Sequence, residues 1–156
     1  MDICGTTGTI TIPSYESQNR IRIALDEFAI APYRAHSDDA GLDLMSPFNA
    51  EIPAFGTYTI DTGVHIAIPK GYAGFLKSRS GLNINHSVTT EGVIDCGYTG
   101  SIVVKMYNFA DEPYQVKRGD KITQLVIVPI KTPELILVHE LEGTERGNGG
   151  FGSSGR

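Results

Sequence analysis

No stretch of this chain keeps the 3.6-residue apolar period of a long amphipathic helix, and that absence constrains its fold more than any other feature. What recurs instead is the short β-branched run, closed at each end by Gly, Pro, Asp or Asn. Strands are predicted over Arg20 to Phe28, Gly41 to Leu44, around Ile52, Tyr58 to Ile60, Val64 to Ile68, Ala73 to Leu76, Ile102 to Asn108, Lys121 to Ile130 and Leu135 to Leu141. Pro32 breaks the segment after the first strand, and Pro69-Lys70-Gly71 suits a type I turn. One short helix is predicted, beginning near Ser80-Gly81-Leu82. Many short strands joined by turns make an all-β sandwich, jelly roll or barrel.

A chain of 156 residues, with 18 Gly and 8 Pro, is long enough for one domain with a sizeable core. The net charge of -5 argues against general nucleic-acid binding, which wants a basic surface, but leaves room for local Arg and Lys clusters that bind a small anion. Cys4 and Cys96 form no CxxC pair and no disulfide framework, which suits a reducing compartment. His36, His65, His86 and His139 are scattered without zinc-ligand spacing. No apolar run reaches the roughly 18 residues of a membrane span, and no signal-peptide pattern is present. The expectation is a cytoplasmic protein that meets neither nucleic acid nor membrane.

Residues 1–18 are rich in Thr, Ser and Gly and read as a flexible N-terminal extension; residues 19–145 form the β domain. Residues 146–156, Arg146-Gly147-Asn148-Gly149-Gly150-Phe151-Gly152-Ser153-Ser154-Gly155-Arg156, are too glycine-rich to bury much apolar surface and read as a mobile arm. Their GxGxxG spacing is not a dinucleotide fingerprint, because no helix follows, and Ser153 stands where a Walker A loop needs Lys. What remains is a set of free amides, Arg, Ser and one ring, which suits a phosphate chain and a base or, equally, a plain tail.

The stretch from Gly92 to Asn108 is the centre of the chain: a strand end, a turn holding Asp95, Gly97 and Tyr98, then a second strand. A carboxylate and an aromatic ring at such a turn suit a small-ligand site, but also an ordinary hairpin with a capping Asp and a surface Tyr. Asp43, in the apolar frame Ala40 to Ser46, is a costly charge unless it meets a cation, and a turn cap is its alternative role. Lys77-Ser78-Arg79-Ser80-Gly81-Leu82 offers a guanidinium, a hydroxyl and a Gly amide at a helix start, for an anion or for a surface ion pair. Arg118 to Leu125 opens a strand and carries Gln124 inward, as a ligand or as a core hydrogen-bonding group. A serine hydrolase is not indicated, since no GxSxG elbow exists.

These five stretches, in this order, resemble the five motifs of the trimeric dUTPase family over roughly residues 20 to 156. The resemblance implies a distorted β jelly roll with one short helix and an extended C-terminal arm. It also implies a homotrimer with shared sites and Mg²⁺-dependent hydrolysis of dUTP to dUMP and pyrophosphate, which limits uracil incorporation into DNA and supplies dUMP. In that resemblance Asp95 orients and deprotonates the attacking water, and the ring of Tyr98 stacks under deoxyribose and excludes a 2′-hydroxyl. The hairpin backbone at Gly92, Val93 and Ile94 and near Met106 reads uracil. Asp43 helps to hold hydrated Mg²⁺ indirectly, the ion being held mainly by substrate phosphates and water. Arg79, Ser80 and Gly81 bind phosphate, and Gln124 touches phosphate and the water network. Arg146 and Phe151 grip the terminal phosphate and cover uracil, with Gly152 and Ser153 adding phosphate contacts.

The sequence departs from the common pattern at Ser78, where many members carry Pro, at Ser153-Ser154 and at Thr89-Thr90-Glu91, but no required chemical group is lost. The related dCTP deaminases need a Glu where this chain has Lys105, so deamination does not fit. A non-enzymatic jelly-roll binding module fits poorly with an intact set of Asp95, Arg79, Arg146 and Phe151.

Overall fold

The computed structural model describes residues 20–149. Along that span run β1 (Arg22–Leu25), β2 (Gly41–Met45), β3 (Ala50–Ile52), β4 (Thr57–Ala67), β5 (Tyr72–Lys77), α1 (Ser80–His86), β6 (Val88–Ile94), β7 (Ser101–Asn108), β8 (Tyr114–Val116) and β9 (Lys121–Pro129). Seven strands form one sheet in the order β1-β4-β7-β6-β5-β9-β2, and β3 pairs with β8. Every pairing is antiparallel. The described residues are thus all-β with one short helix, the class expected from the turn-punctuated runs, and they fit the jelly roll that the resemblance implies.

The core follows from the two-residue period of the strands. In β7, Ile102, Val104 and Met106 point inward and are closed off from solvent, while Val103 and Lys105 point out. They pack with Leu44, Ile52, Ile60, Val64, Ile66, Leu76, Val88, Val116, Ile122 and Leu125 into one cluster. β6 shapes the sheet by changing partner along its length. Val88, Thr89 and Thr90 pair with Asn108, Tyr107 and Met106 of β7, whereas Glu91, Gly92, Val93 and Ile94 pair with β5. Past Thr90 the edge of β6 that faces β7 is therefore open. The hairpin splays there, and the sheet curls.

Several expectations are corrected. The two runs Tyr58 to Ile60 and Val64 to Ile68 are one strand, β4, because Gly63 takes φ +66° and absorbs a register shift between Asp61 and His65 without ending the ladder. The first strand is only four residues long, and none of its residues is buried within the chain. Leu135 to Leu141 is not a strand: nothing among the described residues pairs with it, and Leu135 and Leu137 are 93% and 100% exposed. The turn after β4 has its hydrogen bond from Tyr72 N–H to the Pro69 carbonyl, so Gly71 is its third residue. With φ +84° there, it has the form of type II, not type I. β6 as a whole strand and β8 were not foreseen. The 1–18 extension lies outside the described residues.

Candidate active site

Two recesses hold most of the predicted residues. The first lies at the splayed end of the β6–β7 hairpin, a space of about 250 Å³ lined by Val93, Ile94, Asp95, Tyr98, Ser101 and Val103. Its floor is a tight turn in which the Tyr98 amide donates to the Asp95 carbonyl at 3.2 Å. Gly97 occupies the third position at φ +86°, a value that any side chain would resist. The Tyr98 hydroxyl donates to the Ser101 carbonyl at 2.9 Å, which folds the ring back over Gly100. A Cβ on Gly100 would meet the ring at 2.7 Å, so glycine is what lets the ring lie there. The Asp95 carboxylate is exposed and faces solvent at the mouth.

The second recess, about 240 Å³, is lined by Ala35, Asp39, Ala40, Gly41, Asp43, Arg79, Ser80 and Gln124. Asp43 is 4% exposed. It meets not one cation but two: the Arg79 guanidinium on one oxygen, and Lys121 Nζ at 2.8 Å on the other. A carboxylate so buried is tolerable only with such partners. Two cations on one carboxylate leave a positive charge over within the triad, with Asp39 at the rim and Asp120 beside Lys121 opposing it in part, and such a centre suits an anion. α1 spans seven residues, so the charge here comes from side chains more than from a helix dipole. Gln124 stands opposite Asp43 in the β2–β9 ladder, and its side-chain amide donates to the Ser78 carbonyl at 3.1 Å. A Cβ on Gly41 would collide with the Gln124 side chain, so glycine keeps that side chain in place.

Gly81 lies on the far side of Arg79, in a shallower recess with Lys121. Gly92 lines neither main recess and is backed by Leu76 at 3.0 Å from where its Cβ would be. Met106 does not join them. Its side chain is 0% exposed in the core, and its register partners are Thr90 and Tyr58, below the point where the hairpin opens. Arg146 is exposed and donates from Nε to the Gly149 carbonyl at 3.0 Å, away from both recesses. Phe151, Gly152 and Ser153 lie outside the described residues.

Sequence reading missed Lys121 as the second partner of Asp43, and Tyr33, whose ring lies 4.6 Å beneath Lys121 Nζ and whose carbonyl accepts the Asp43 amide. A cation–π contact of this kind holds the lysine head in place. Nothing local announces these contacts, which depend on a bulge between Leu44 and Met45 in the β2–β9 ladder.

His65 was also passed over. Its Nδ1 lies 2.8 Å from the Thr99 carbonyl, and its Nε2 lies 3.3 Å from Asp26, tying β4 to the loop that carries Asp95 and Tyr98. The Thr99 carbonyl first, then Asp26 and Asp61, raise its pKa above the ordinary 6.5, against partial burial. Neighbouring Asp61 is held low by the Ser101 hydroxyl and by the Gly63 amide. For a group with a raised pKa, the stabilising contribution is full below the unfolded value and is lost as pH rises through the folded one. Thermal melting of the native protein from about pH 5.5 to 8.5 is therefore expected to lose stability that a His65→Gln variant does not lose. Parallel curves would show that the imidazole contributes nothing.

Among the described residues no three His, Cys, Asp or Glu side chains gather as a metal cluster, and no helix is long and apolar enough to cross a membrane. The family model described as dUTPase matches residues 27–155. The chain is 41% identical over 143 residues to the deoxyuridine 5′-triphosphate nucleotidohydrolase of Gloeobacter violaceus, covering 86% of this chain and 97% of that one. It is 42% identical over 135 residues to the rat enzyme of the same name, covering 86% of this chain and 66% of that one. Among solved structures it is similar to the dUTPase of Staphylococcus bacteriophage 80alpha with dUpNHpp, with TM-score 0.83, 34% identity, and coverage of 88% and 99% of the two chains. It is also similar to a variant of the phage phi11 dUTPase described with a structural Mg(II) ion, with TM-score 0.73, 34% identity, and coverage of 78% and 98%. The chain belongs to the dUTPase family.

Proposed function

We propose that the chain hydrolyses dUTP to dUMP and pyrophosphate with Mg²⁺, in the cytoplasm, removing a precursor of uracil in DNA and supplying dUMP. The observation that carries this reading is the open edge of β6. From Gly92 to Ile94 the strand pairs only with β5, so its other edge presents backbone donors and acceptors to the recess that holds Asp95 and Tyr98. Unpaired backbone groups at a recess want a polar partner, and the Watson–Crick edge of uracil is one of fitting size. In this reading the Tyr98 ring, 45% exposed, offers a face to deoxyribose and would exclude a 2′-hydroxyl.

In this reading Asp95 accepts a proton from water as that water attacks the α-phosphorus. The new P–O bond forms on the α-phosphate, the bridging α–β bond breaks, and pyrophosphate leaves with that oxygen. The proton passes from Asp95 to solvent. Arg79, Ser80 and Gly81 hold the phosphate chain, and Gln124 orients its water network. Such chemistry asks for positioning and charge neutralisation more than for covalent work. Asp43 is already held by Arg79 and Lys121, which fits an indirect part in metal binding. Mg²⁺, held mainly by phosphates and water, would neutralise the chain during transfer.

The reading extends to a homotrimer with sites shared between subunits. Supporting it are two unpartnered apolar features: the segment Leu135, Ile136, Leu137 and Leu141, all more than 80% exposed, and the β1 groove lined by Ile23, Leu25, Ile66 and Ala67. Arg146 and Phe151, with Gly152 and Ser153, would then complete a neighbouring subunit's site. The test is pyrophosphate release with Mg²⁺ on dUTP, UTP, dTTP and dCTP in parallel. Strong preference for dUTP is expected, and comparable rates on UTP would remove the role given to Tyr98.

A further inference from the structure

We propose that Ser78 is a positioning residue whose side chain sets the phosphate-binding turn at a fixed distance from the base-reading hairpin; the inference rests on the dUTPase reading above. β5 and β6 pair in regular register up to Lys77 opposite Glu91. The next rung would place Ser78 opposite Thr90, and here a side chain replaces the backbone. The Ser78 hydroxyl accepts the Thr90 amide at 3.0 Å and donates to the Thr90 carbonyl at 3.2 Å. The Thr89 hydroxyl donates to its remaining lone pair. One proton and two lone pairs are thus fully used, the limit for a hydroxyl.

The substitution of side chain for backbone has a consequence. The backbone of Ser78 is released from the ladder, its carbonyl turns to Gln124 at 3.1 Å, and the chain leaves through Arg79, extended at φ -78° and ψ 138°, into α1. A second layer lies beneath. The Thr90 hydroxyl donates to that of Thr123 at 2.8 Å, and the Thr123 hydroxyl donates to the Lys77 carbonyl at 3.1 Å, with both threonines no more than 1% exposed. Thr90 is also the last residue of β6 that pairs with β7, so β6 begins its path to Asp95 at this point. The end of β5, which leads into Arg79, Ser80 and Gly81, is therefore lashed to β6, which leads to Asp95, by a rung made of hydroxyls. Phosphoryl transfer depends on the in-line placement of water and phosphorus, and a misplacement of about 1 Å can cost on the order of 10²-fold in rate.

The experiment compares native protein, Ser78→Ala, Ser78→Thr and Thr89→Val for kcat and KM on dUTP with Mg²⁺, and for dUMP affinity by titration calorimetry. Ser78→Ala is expected to lower kcat by about 10- to 100-fold with dUMP affinity kept within about twofold, because base contacts within the hairpin stay local. Ser78→Thr, which retains the hydroxyl, is expected to keep kcat within about threefold, and Thr89→Val, which removes one of three bonds, to lower it about threefold. A purely structural role would lower the melting temperature without this split between kcat and affinity. A folded Ser78→Ala with kcat within twofold of native, or a Ser78→Thr as slow as Ser78→Ala, would overturn the proposal. Should Ser78→Ala not fold, the half-buried Thr89→Val decides, and native kcat there overturns it. A native protein inert toward dUTP would instead overturn the dUTPase reading, and this inference with it.

Discussion

Asp95→Asn is expected to fold as the native protein does and to hydrolyse dUTP slower by about 10² to 10⁴, the range that follows loss of a general base. The change is isosteric and the side chain is exposed. The turn beneath it is closed by the Asp95 carbonyl and the Tyr98 amide, not by the carboxylate. Neither the core nor the ladder is touched, so melting temperature and dUMP binding should hold while turnover falls. What is lost is the group able to take a proton from water at the mouth of the hairpin recess. Pyrophosphate release under saturating dUTP measures this directly. Near-native turnover in the variant would place the base elsewhere.

Removal of residues 146–156 is expected to have the second large effect, a collapse of turnover with little change in melting. Among the described residues of this segment, Arg146, Gly147 and Asn148 are exposed, and the Arg146 side chain bonds only to the Gly149 carbonyl. Their removal takes little from the core. Chemically the segment supplies a guanidinium, a ring and several free amides, which would meet the terminal phosphates and cover the base. Excluding water there strengthens every electrostatic contact with the phosphates. Whether arms act between subunits has its own test. Subunits with Asp95→Ala are unfolded and refolded together with subunits that lack 146–156. If arms serve a neighbour's site, some sites regain both groups, and activity rises above either parent. If each arm serves its own subunit, every site lacks one group and the mixture stays inactive.

The strands inside the core could be read from the chain because their information is local. Ile102, Val104 and Met106 alternate with Val103 and Lys105, and a strand with one buried face satisfies that period. The α1 start, the Asp95–Tyr98 turn and the need of Asp43 for a cation were legible for the same reason. Each follows from a residue type and its immediate neighbours: glycine at a positive φ, or a charge in an apolar frame. β4 was read as two strands because Gly63 looks like a terminator in sequence, whereas cross-strand pairing with β7 carries the ladder past it. Leu135 to Leu141 has a strand's composition, but a strand needs a partner edge, and none is supplied among the described residues.

Residue types and their spacing settle the all-β class, the order of the motif stretches and the identity of the groups able to do chemistry. Position is settled elsewhere. That Asp43 shares Arg79 with Lys121, that Ser78 replaces a backbone rung opposite Thr90, and that Met106 belongs to the core are matters of register between strands far apart in sequence. Register is chosen by burying one face of the whole sheet at once, and a single residue of slip would turn every side chain to the opposite face. No local stretch carries that constraint, because it is a property of strands from both sheets closing on one core.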